Sequence, residues 1–183
     1  MKIAITGKMC SGKSTVASYI SSLNPLYQTF SFGQKVKNVA SDLFNMDPKN
    51  KNRTLLTSIG TKMREIDPNV WINYIVKQTQ NQDFCIIDDL RYQNEYESLI
   101  QNNFKIIQLY VSPKIQEQRI KEIYPQNYQD HLNNRNHPSE LNIFQWSHNQ
   151  GPHLFIDTSK SIDEIKITIQ EFLNIHLKNP NDK

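Results

Sequence analysis

Gly7-Lys8-Met9-Cys10-Ser11-Gly12-Lys13-Ser14 is the stretch on which the fold of this chain turns. Its spacing is GxxxxGK[ST]. A short apolar run, Lys2 to Thr6, precedes it, and a helical pattern from Ser14 to Leu23 follows. Strand, glycine-bearing loop and helix in that order are the setting in which this pattern binds phosphate. The glycines let backbone N–H groups turn inward around phosphate oxygens, and the helix behind presents its positive end. Lys13 is expected to reach the β- and γ-phosphates, and the Ser14 hydroxyl to coordinate Mg²⁺. The donor site expected is therefore Gly7, Lys8, Cys10, Ser11, Gly12, Lys13, Ser14 and Thr15, with ATP and Mg²⁺ as cofactors. Lys8 and Cys10 stand at variable positions of the pattern, and Cys10 reads as an ordinary small side chain rather than a redox control.

Outward from this loop, β-like runs alternate with helical ones. Gln28 to Phe32 reads as a second strand. Val36, Val39, Ala40, Leu43 and Phe44 then repeat at helical spacing between Gln34 and Phe44. Asp67-Pro68 reads as a cap followed by proline at the first helical position, opening a helix through Trp71, Ile72 and Ile75. Phe84 to Ile87, Lys105 to Val111 and Leu154 to Ile156 complete the strands. Ile162, Ile165, Ile169 and Phe172 line one face of a last helix. Such alternation implies an α/β fold, a parallel sheet with helices on both faces. Tyr124 to Pro138 shows no apolar period and is longer than an ordinary connection, which suggests either a mobile functional loop or a disordered insert. Only Lys178 to Lys183 is of low complexity, and no repeat is visible.

Composition narrows the function. The chain has 183 residues, 37 % hydrophobic and 21 % charged, enough apolar material for one packed domain. Its two cysteines, Cys10 and Cys85, are far apart, so reduced thiols and no structural zinc are expected. His131, His137, His148 and His153 lack compact ligand spacing and read as solvated or hydrogen-bonding side chains. No apolar run approaches the roughly 20 residues of a membrane span, and no signal-peptide pattern opens the sequence. A cytoplasmic protein is expected, without a membrane partner. Twenty-one Lys+Arg against eighteen Asp+Glu give +3, with no basic stripe of the kind nucleic-acid binders carry. A nucleic-acid end-kinase is accordingly disfavoured.

The second half of a nucleotide site should be an acid at the end of a neighbouring strand. Phe84-Cys85-Ile86-Ile87-Asp88-Asp89 supplies two. Either could hold Mg²⁺ or take a proton from the acceptor. Asp89 ranks first, because in extended chain it shares a face with Arg91. No Asn-Lys-x-Asp for guanine is present, and an AAA machine or motor would need more chain. A small-molecule kinase is the leading class; a kinase of another metabolite and a non-enzymatic ATP-binding module remain as alternatives. Cations for the phosphates are available at Lys37, Arg64 and Arg91. Arg119 and Arg135 bracket the Asn/Gln-rich loop and are expected to close on the transferring group. Phe32, Trp71 and Tyr92 could stack on a base, although a tryptophan on a helical face is more often core.

Three further segments give a specific resemblance. Phe30-Ser31-Phe32 through Lys37 to Leu43-Phe44, then Leu55-Leu56 to Gly60-Thr61, Arg64 and Asp67-Pro68-Asn69-Val70-Trp71, then Asp89-Leu90-Arg91-Tyr92-Gln93-Asn94-Glu95, occur in this order. With His137-Pro138-Ser139-Glu140 they resemble the deoxynucleoside monophosphate kinases of bacteriophages and large DNA viruses, over most of residues 1–145. The resemblance implies a P-loop kinase domain over 1–178, with a monophosphate-binding helical region at about 33–80, a lid at about 119–138 and a polar tail at 179–183. It implies ATP-dependent phosphorylation of a (deoxy)nucleoside monophosphate, in a host cytoplasm if the source is viral; a homodimer is one state open to the chain. Phe32, Lys37, Arg64, Trp71, Asp88, Arg91 and Glu95 would hold the acceptor. Lys13, Asp89, Arg91, Arg119 and Arg135 would act in transfer, Ser14 and Asp89 would hold the metal, and Arg119 and Thr158 would join the nucleotide site. Gly33-Gln34-Lys35, Thr57, Lys62 and Thr158 depart from the family pattern. A dephospho-coenzyme A kinase, whose chain opens with a similar loop, is the near alternative.

Overall fold

The computed structural model describes residues 1–48, 52–126, 128–133, 135, 140 and 151–178, without the side chains of Arg53 and Asp130. His137, Pro138, Ser139, His148 and the tail 179–183 lie outside the described residues. Five parallel strands form the sheet: β1 Lys2–Gly7, β2 Gln28–Phe30, β3 Cys85–Leu90, β4 Phe104–Tyr110 and β5 Leu154–Asp157, in the order β2-β3-β1-β4-β5. The helices are α1 Lys13–Leu23, α2 Phe32–Phe44, α3 Arg53–Ile66, α4 Val70–Thr79, α5 Gln93–Gln101, α6 Pro113–Ile123, α7 Tyr128–Asn133 and α8 Ile162–Lys178.

Strand alternation divides the apolar side chains between two cores, as a sheet covered on both faces requires. Ile3, Ile5, Ile86, Ile107 and Leu109 point to α1 and α8, where Val16, Ile20, Ile169 and Phe172 meet them. Ala4, Ile87, Leu90 and Ile106 point the other way, toward Phe32, Trp71, Ile75 and Leu99 of the helices α2 to α5. The carboxyl ends of β1 and β3, adjacent at the centre, therefore open into a crevice with a helical layer on each side. Ligands of open α/β sheets bind in such crevices.

Several boundaries differ from the sequence expectation. Phe32 starts α2 instead of ending β2, because the Ser31 side chain accepts from the Gln34 N–H and caps the helix there. Asp67-Pro68 does not open α4. Asp67 ends α3, its carboxylate accepts from the Asn69 N–H at 2.8 Å, and Asn69 is the residue before α4. Residues 128–133 of the aperiodic stretch form a short helix, α7. The last strand and helix fall where expected, but Ile162 is 49 % exposed and does not join the core stripe of α8. Helices α3, α5 and α6 had no place in the periodicity reading; for α6 the signal was Ser112-Pro113, a cap followed by proline at the first turn. Among the described residues no helix is long and apolar enough to cross a membrane.

Candidate active site

The loop after β1 has the backbone that its glycines were expected to permit. Gly7 has φ +154°, and a Cβ there would stand 2.5 Å from Ser11 Oγ and 2.7 Å from the Leu109 carbonyl. Gly12 has φ +90° and precedes α1. Cys10 also takes a positive φ, 59°, in this tight turn. Lys13 folds back so that its Nζ donates to the carbonyls of Gly7 (2.7 Å) and Lys8 (2.9 Å). Burial lowers its pKa to about 8; neighbouring Arg91 adds to this, while Glu140, Asp89 and Asp88 oppose it. A half-buried cation held by two carbonyls is a site prepared for an anion.

The two aspartates at the end of β3 separate into different roles. Ser14 Oγ donates to Asp88 Oδ2 at 3.4 Å. Asp89 instead accepts from Ser31 Oγ (2.7 Å), the Phe32 N–H (2.9 Å) and the Gly33 N–H (2.8 Å), at the N-terminus of α2. The pairing of Ser14 with Asp89 expected for the metal is thus replaced by Ser14 with Asp88. The cause is a register irregularity: Ala4 pairs with Ile87 and Thr6 with Leu90, so β3 carries one extra residue at the acids. A bulge re-aims side chains and breaks the two-residue alternation on which the ranking of Asp89 rested. Gly33 suits this arrangement, since a Cβ there would lie 3.2 Å from Asp89 Oδ2. Burial, then the Asp89 charge, raises the Asp88 pKa against the opposing Ser14 hydrogen bond and Lys13. A half-buried carboxylate beside a hydroxyl fits a hard divalent cation such as Mg²⁺. Among the described residues no group of three or more His, Cys, Asp or Glu is placed to hold a metal.

Two clefts meet at this loop. The first, about 580 Å³, is lined by Gly12, Ser14, Thr15, Arg119, Tyr124 and Thr158. Arg119 donates to the carbonyl of Cys10 (3.2 Å), to Thr158 Oγ1 (3.2 Å) and to the Thr158 carbonyl (2.7 Å). Thr158 in turn donates from Oγ1 to the Tyr110 carbonyl at 2.8 Å. One guanidinium therefore ties α6, the P-loop and the β5–α8 turn together, as the expected nucleotide role of Arg119 and Thr158 requires.

The second cleft, about 590 Å³, opens on the opposite side of Lys13 and Ser14. Phe32, Lys37, Arg64, Asp88, Arg91 and Glu95, expected on the acceptor, all line it. Arg64 lies over the Tyr92 ring, 4.2 Å from its centroid, and donates to the Gly60 carbonyl (3.2 Å) and to Glu95 Oε1 (3.1 Å). Glu95, 2 % exposed, also accepts from the N–H groups of Arg91 (3.0 Å) and Tyr92 (3.1 Å) at the start of α5. Burial pushes its pKa up to about 7, against those hydrogen bonds and Arg64. With both oxygens engaged, Glu95 orients the two arginine segments rather than meeting a ligand.

Two expected residues are placed elsewhere. Trp71 is 3 % exposed, packs in the core beneath α3 and donates from Nε1 to the Gly60 carbonyl at 3.2 Å, so its ring does not face the cleft. Arg135 pairs with Glu117 of α6 at 3.7 Å and lines neither cleft. Three residues that the motif reading did not place in the site gather around Met9 of the P-loop. Glu140 accepts from the Met9 N–H at 2.7 Å and pairs with Arg91. Gln116 donates to the Met9 carbonyl at 3.0 Å, and His131, stacked on Tyr124, brings Nδ1 within 3.3 Å of Met9 Sδ. Glu140 was visible as the last residue of the His-x-Ser-Glu resemblance; Gln116 and His131 carry no sequence pattern.

Solved structures with the same fold include a gluconokinase from Sinorhizobium meliloti 1021, 14 % identical, covering 97 % of this chain and 94 % of that one with a TM-score of 0.60. Shikimate kinase from Aquifex aeolicus vf5 is 17 % identical over 97 % and 98 %, with a TM-score of 0.55. Deoxyadenosine kinase from M. mycoides is 20 % identical over 95 % and 99 %, with a TM-score of 0.56. At such identities the likeness establishes the fold, a P-loop NTPase fold of the kinase type. A search of curated proteins returned no significant match. The length argument against an AAA machine does not extend to the domain itself. With a family profile described as "AAA domain" matching residues 3–141, well over half its length, the chain belongs to that P-loop family.

Proposed function

We propose that the protein transfers the terminal phosphoryl group of ATP to a nucleoside monophosphate, within the deoxynucleoside monophosphate kinase branch that the sequence resembles. The observation that carries this reading is the second cleft. It presents two arginines from separate segments, Arg64 and Arg91, beside Lys13 and Ser14, and leaves a pocket floored by Phe32, Val36 and Leu56. Bidentate guanidinium groups suit a dianionic phosphate, and an apolar floor with a neighbouring aromatic suits a base. The fold shared with several kinases supports phosphotransfer as the reaction class.

In this reading the P-loop amides and Lys13 hold the donor phosphates, and Arg119 with Thr158 closes the first cleft around the nucleoside. Ser14 and Asp88 would hold Mg²⁺, which when bound neutralises charge on the donor phosphates. An acceptor phosphate oxygen bonds to the terminal phosphorus, the bond to the bridging oxygen breaks, and ADP leaves with the electron pair. No protein side chain needs to form a bond. Alignment of two like-charged phosphates by Lys13, Arg64 and Arg91 is the catalytic task. The test is ADP formation from ATP with each deoxy- and ribonucleoside monophosphate in turn. Turnover with one or more establishes the class. ATP binding without turnover on any of them refutes it in favour of another acceptor or a binding module.

A further inference from the structure

The carboxylate of Glu140 occupies a place where the chemistry of the site calls for phosphate. It is 5 % exposed and accepts from the Met9 N–H, one of the P-loop amides, at 2.7 Å. Its other oxygen pairs with Arg91. It is also close enough to Lys13 to act on its charge. Met9 and Glu140, which accepts from its amide, both line the second cleft and not the first, the side that would face the acceptor. The phosphate to be transferred must stand on that side, between donor and acceptor. Two groups that would stabilise it, a loop amide and Arg91, already hold one carboxylate, and Lys13 is within electrostatic reach of it. Lys13 and Arg91 repel each other across this position, and Glu140, with Asp88 and Asp89 nearby, offsets that repulsion.

We propose that Glu140 is the resident counter-anion of the phosphoryl-transfer position, displaced from the Met9 amide and from Arg91 by the terminal phosphate of ATP. The proposal rests on the reading of the P-loop as an ATP site. Its consequence is discrimination: ATP displaces the carboxylate, whereas ADP leaves it in place. Arg91 then becomes available to the acceptor only when a triphosphate is bound, which couples acceptor binding to the loaded donor site. Gln116 and His131 hold Met9 from the other side, so the amide remains fixed while the anion on it changes.

Two measurements test this. Calorimetric affinities for MgADP and for a Mg-bound non-hydrolysable ATP analogue are compared between the wild type and Glu140→Gln, which keeps the shape but not the charge. The analogue should tighten about tenfold in the variant, as expected for relief of one charge-assisted contact, while ADP affinity stays the same. A parallel change for both nucleotides, or none, overturns the proposal. In the wild type alone, carbodiimide labelling of Glu140, read by mass spectrometry, should be slow in the free and ADP-bound protein and faster with the ATP analogue. Labelling that the analogue leaves unchanged or slows overturns it independently of how the variant folds. Failure of the wild type to bind either nucleotide would refute the ATP-site reading itself, and the proposal with it.

Discussion

Exchanging each of the two aspartates at the end of β3 for asparagine should produce opposite phenotypes. Asp89 holds the start of α2 through three contacts, from Ser31 Oγ, the Phe32 N–H and the Gly33 N–H, at 2.7 to 2.9 Å. In Asp89→Asn one carboxylate oxygen becomes an NH₂ group facing donors. At least one charge-assisted bond is lost and a donor faces a donor, at a cost of about 2–4 kcal/mol. For a chain of this size, roughly 2–4 °C per kcal/mol applies, so Tm should fall by about 5–15 °C. Asp88 makes one long contact, 3.4 Å from Ser14 Oγ, and its carboxylate is raised in pKa by burial. Asp88→Asn should leave Tm within about 2 °C, a surface-like change, because a neutral side chain removes that desolvation penalty.

Turnover should show the reverse order. With the metal held by Ser14 and Asp88, Asp88→Asn should lower kcat by two orders of magnitude or more, a loss of roughly 2.7 kcal/mol or above in transition-state stabilisation. Excess Mg²⁺ should recover part of it. Asp89→Asn, assayed well below its lowered Tm, should act mainly on acceptor KM through the displaced α2, which carries Phe32 and Lys37. The assays are thermal unfolding and Mg²⁺-titrated ADP formation on both variants. If Asp89→Asn kept its Tm and lost Mg²⁺-dependent turnover while Asp88→Asn stayed active, the bulge argument would be wrong and the strand-face ranking right.

Arg64→Lys and Arg91→Lys should each raise KM for the monophosphate about 10- to 150-fold, the range of one charge-assisted contact, and Arg64→Lys should leave ATP affinity little changed; weaker ATP with unchanged acceptor KM in Arg64→Lys would move that residue to the donor side. Lys13→Ala should abolish transfer without loss of fold. Because the folded pKa of Lys13 is lowered from 10.5 to about 8, the unfolded chain binds more protons between those values, so stability of the nucleotide-free protein should rise across that window. Phosphate restores the charge, so nucleotide binding at pH 8 to 9 should take up a proton, measurable from the buffer dependence of the calorimetric heat; equal heats in all buffers would contradict this. Trp71→Phe removes the bond to the Gly60 carbonyl and should cost about 1 kcal/mol of stability with acceptor KM unchanged; a KM effect without loss of Tm would return Trp71 to the cleft.

What the sequence disclosed and what it withheld divide along a physical line. Residues whose role is set by their own segment were legible. The P-loop is local, since Gly7, Gly12, Lys13 and Ser14 need only the strand before them and the helix after. Arg64 and Arg91, which line the second cleft, each stand in a segment with its own recognisable pattern. Trp71 was misplaced because its neighbours are set by packing: a helical face fixes the direction of a side chain relative to its helix, and α3 with the Gly60 carbonyl lies across that face. The strand-face argument for Asp89 over Asp88 fails at the bulge, because alternation assumes an unbroken ladder. The extra residue in β3 depends on pairing with β1, some eighty positions away in the chain. Arg135 went astray for a further reason: a guanidinium is satisfied by the nearest carboxylate, and Glu117 stands one helix away. Glu140 is the most instructive of these. Its two partners, Met9 and Arg91, follow different strands, β1 and β3, so no local pattern could announce the contact. The one trace of it in the sequence was a motif whose purpose becomes intelligible only once the P-loop and Arg91 are seen to share an anion.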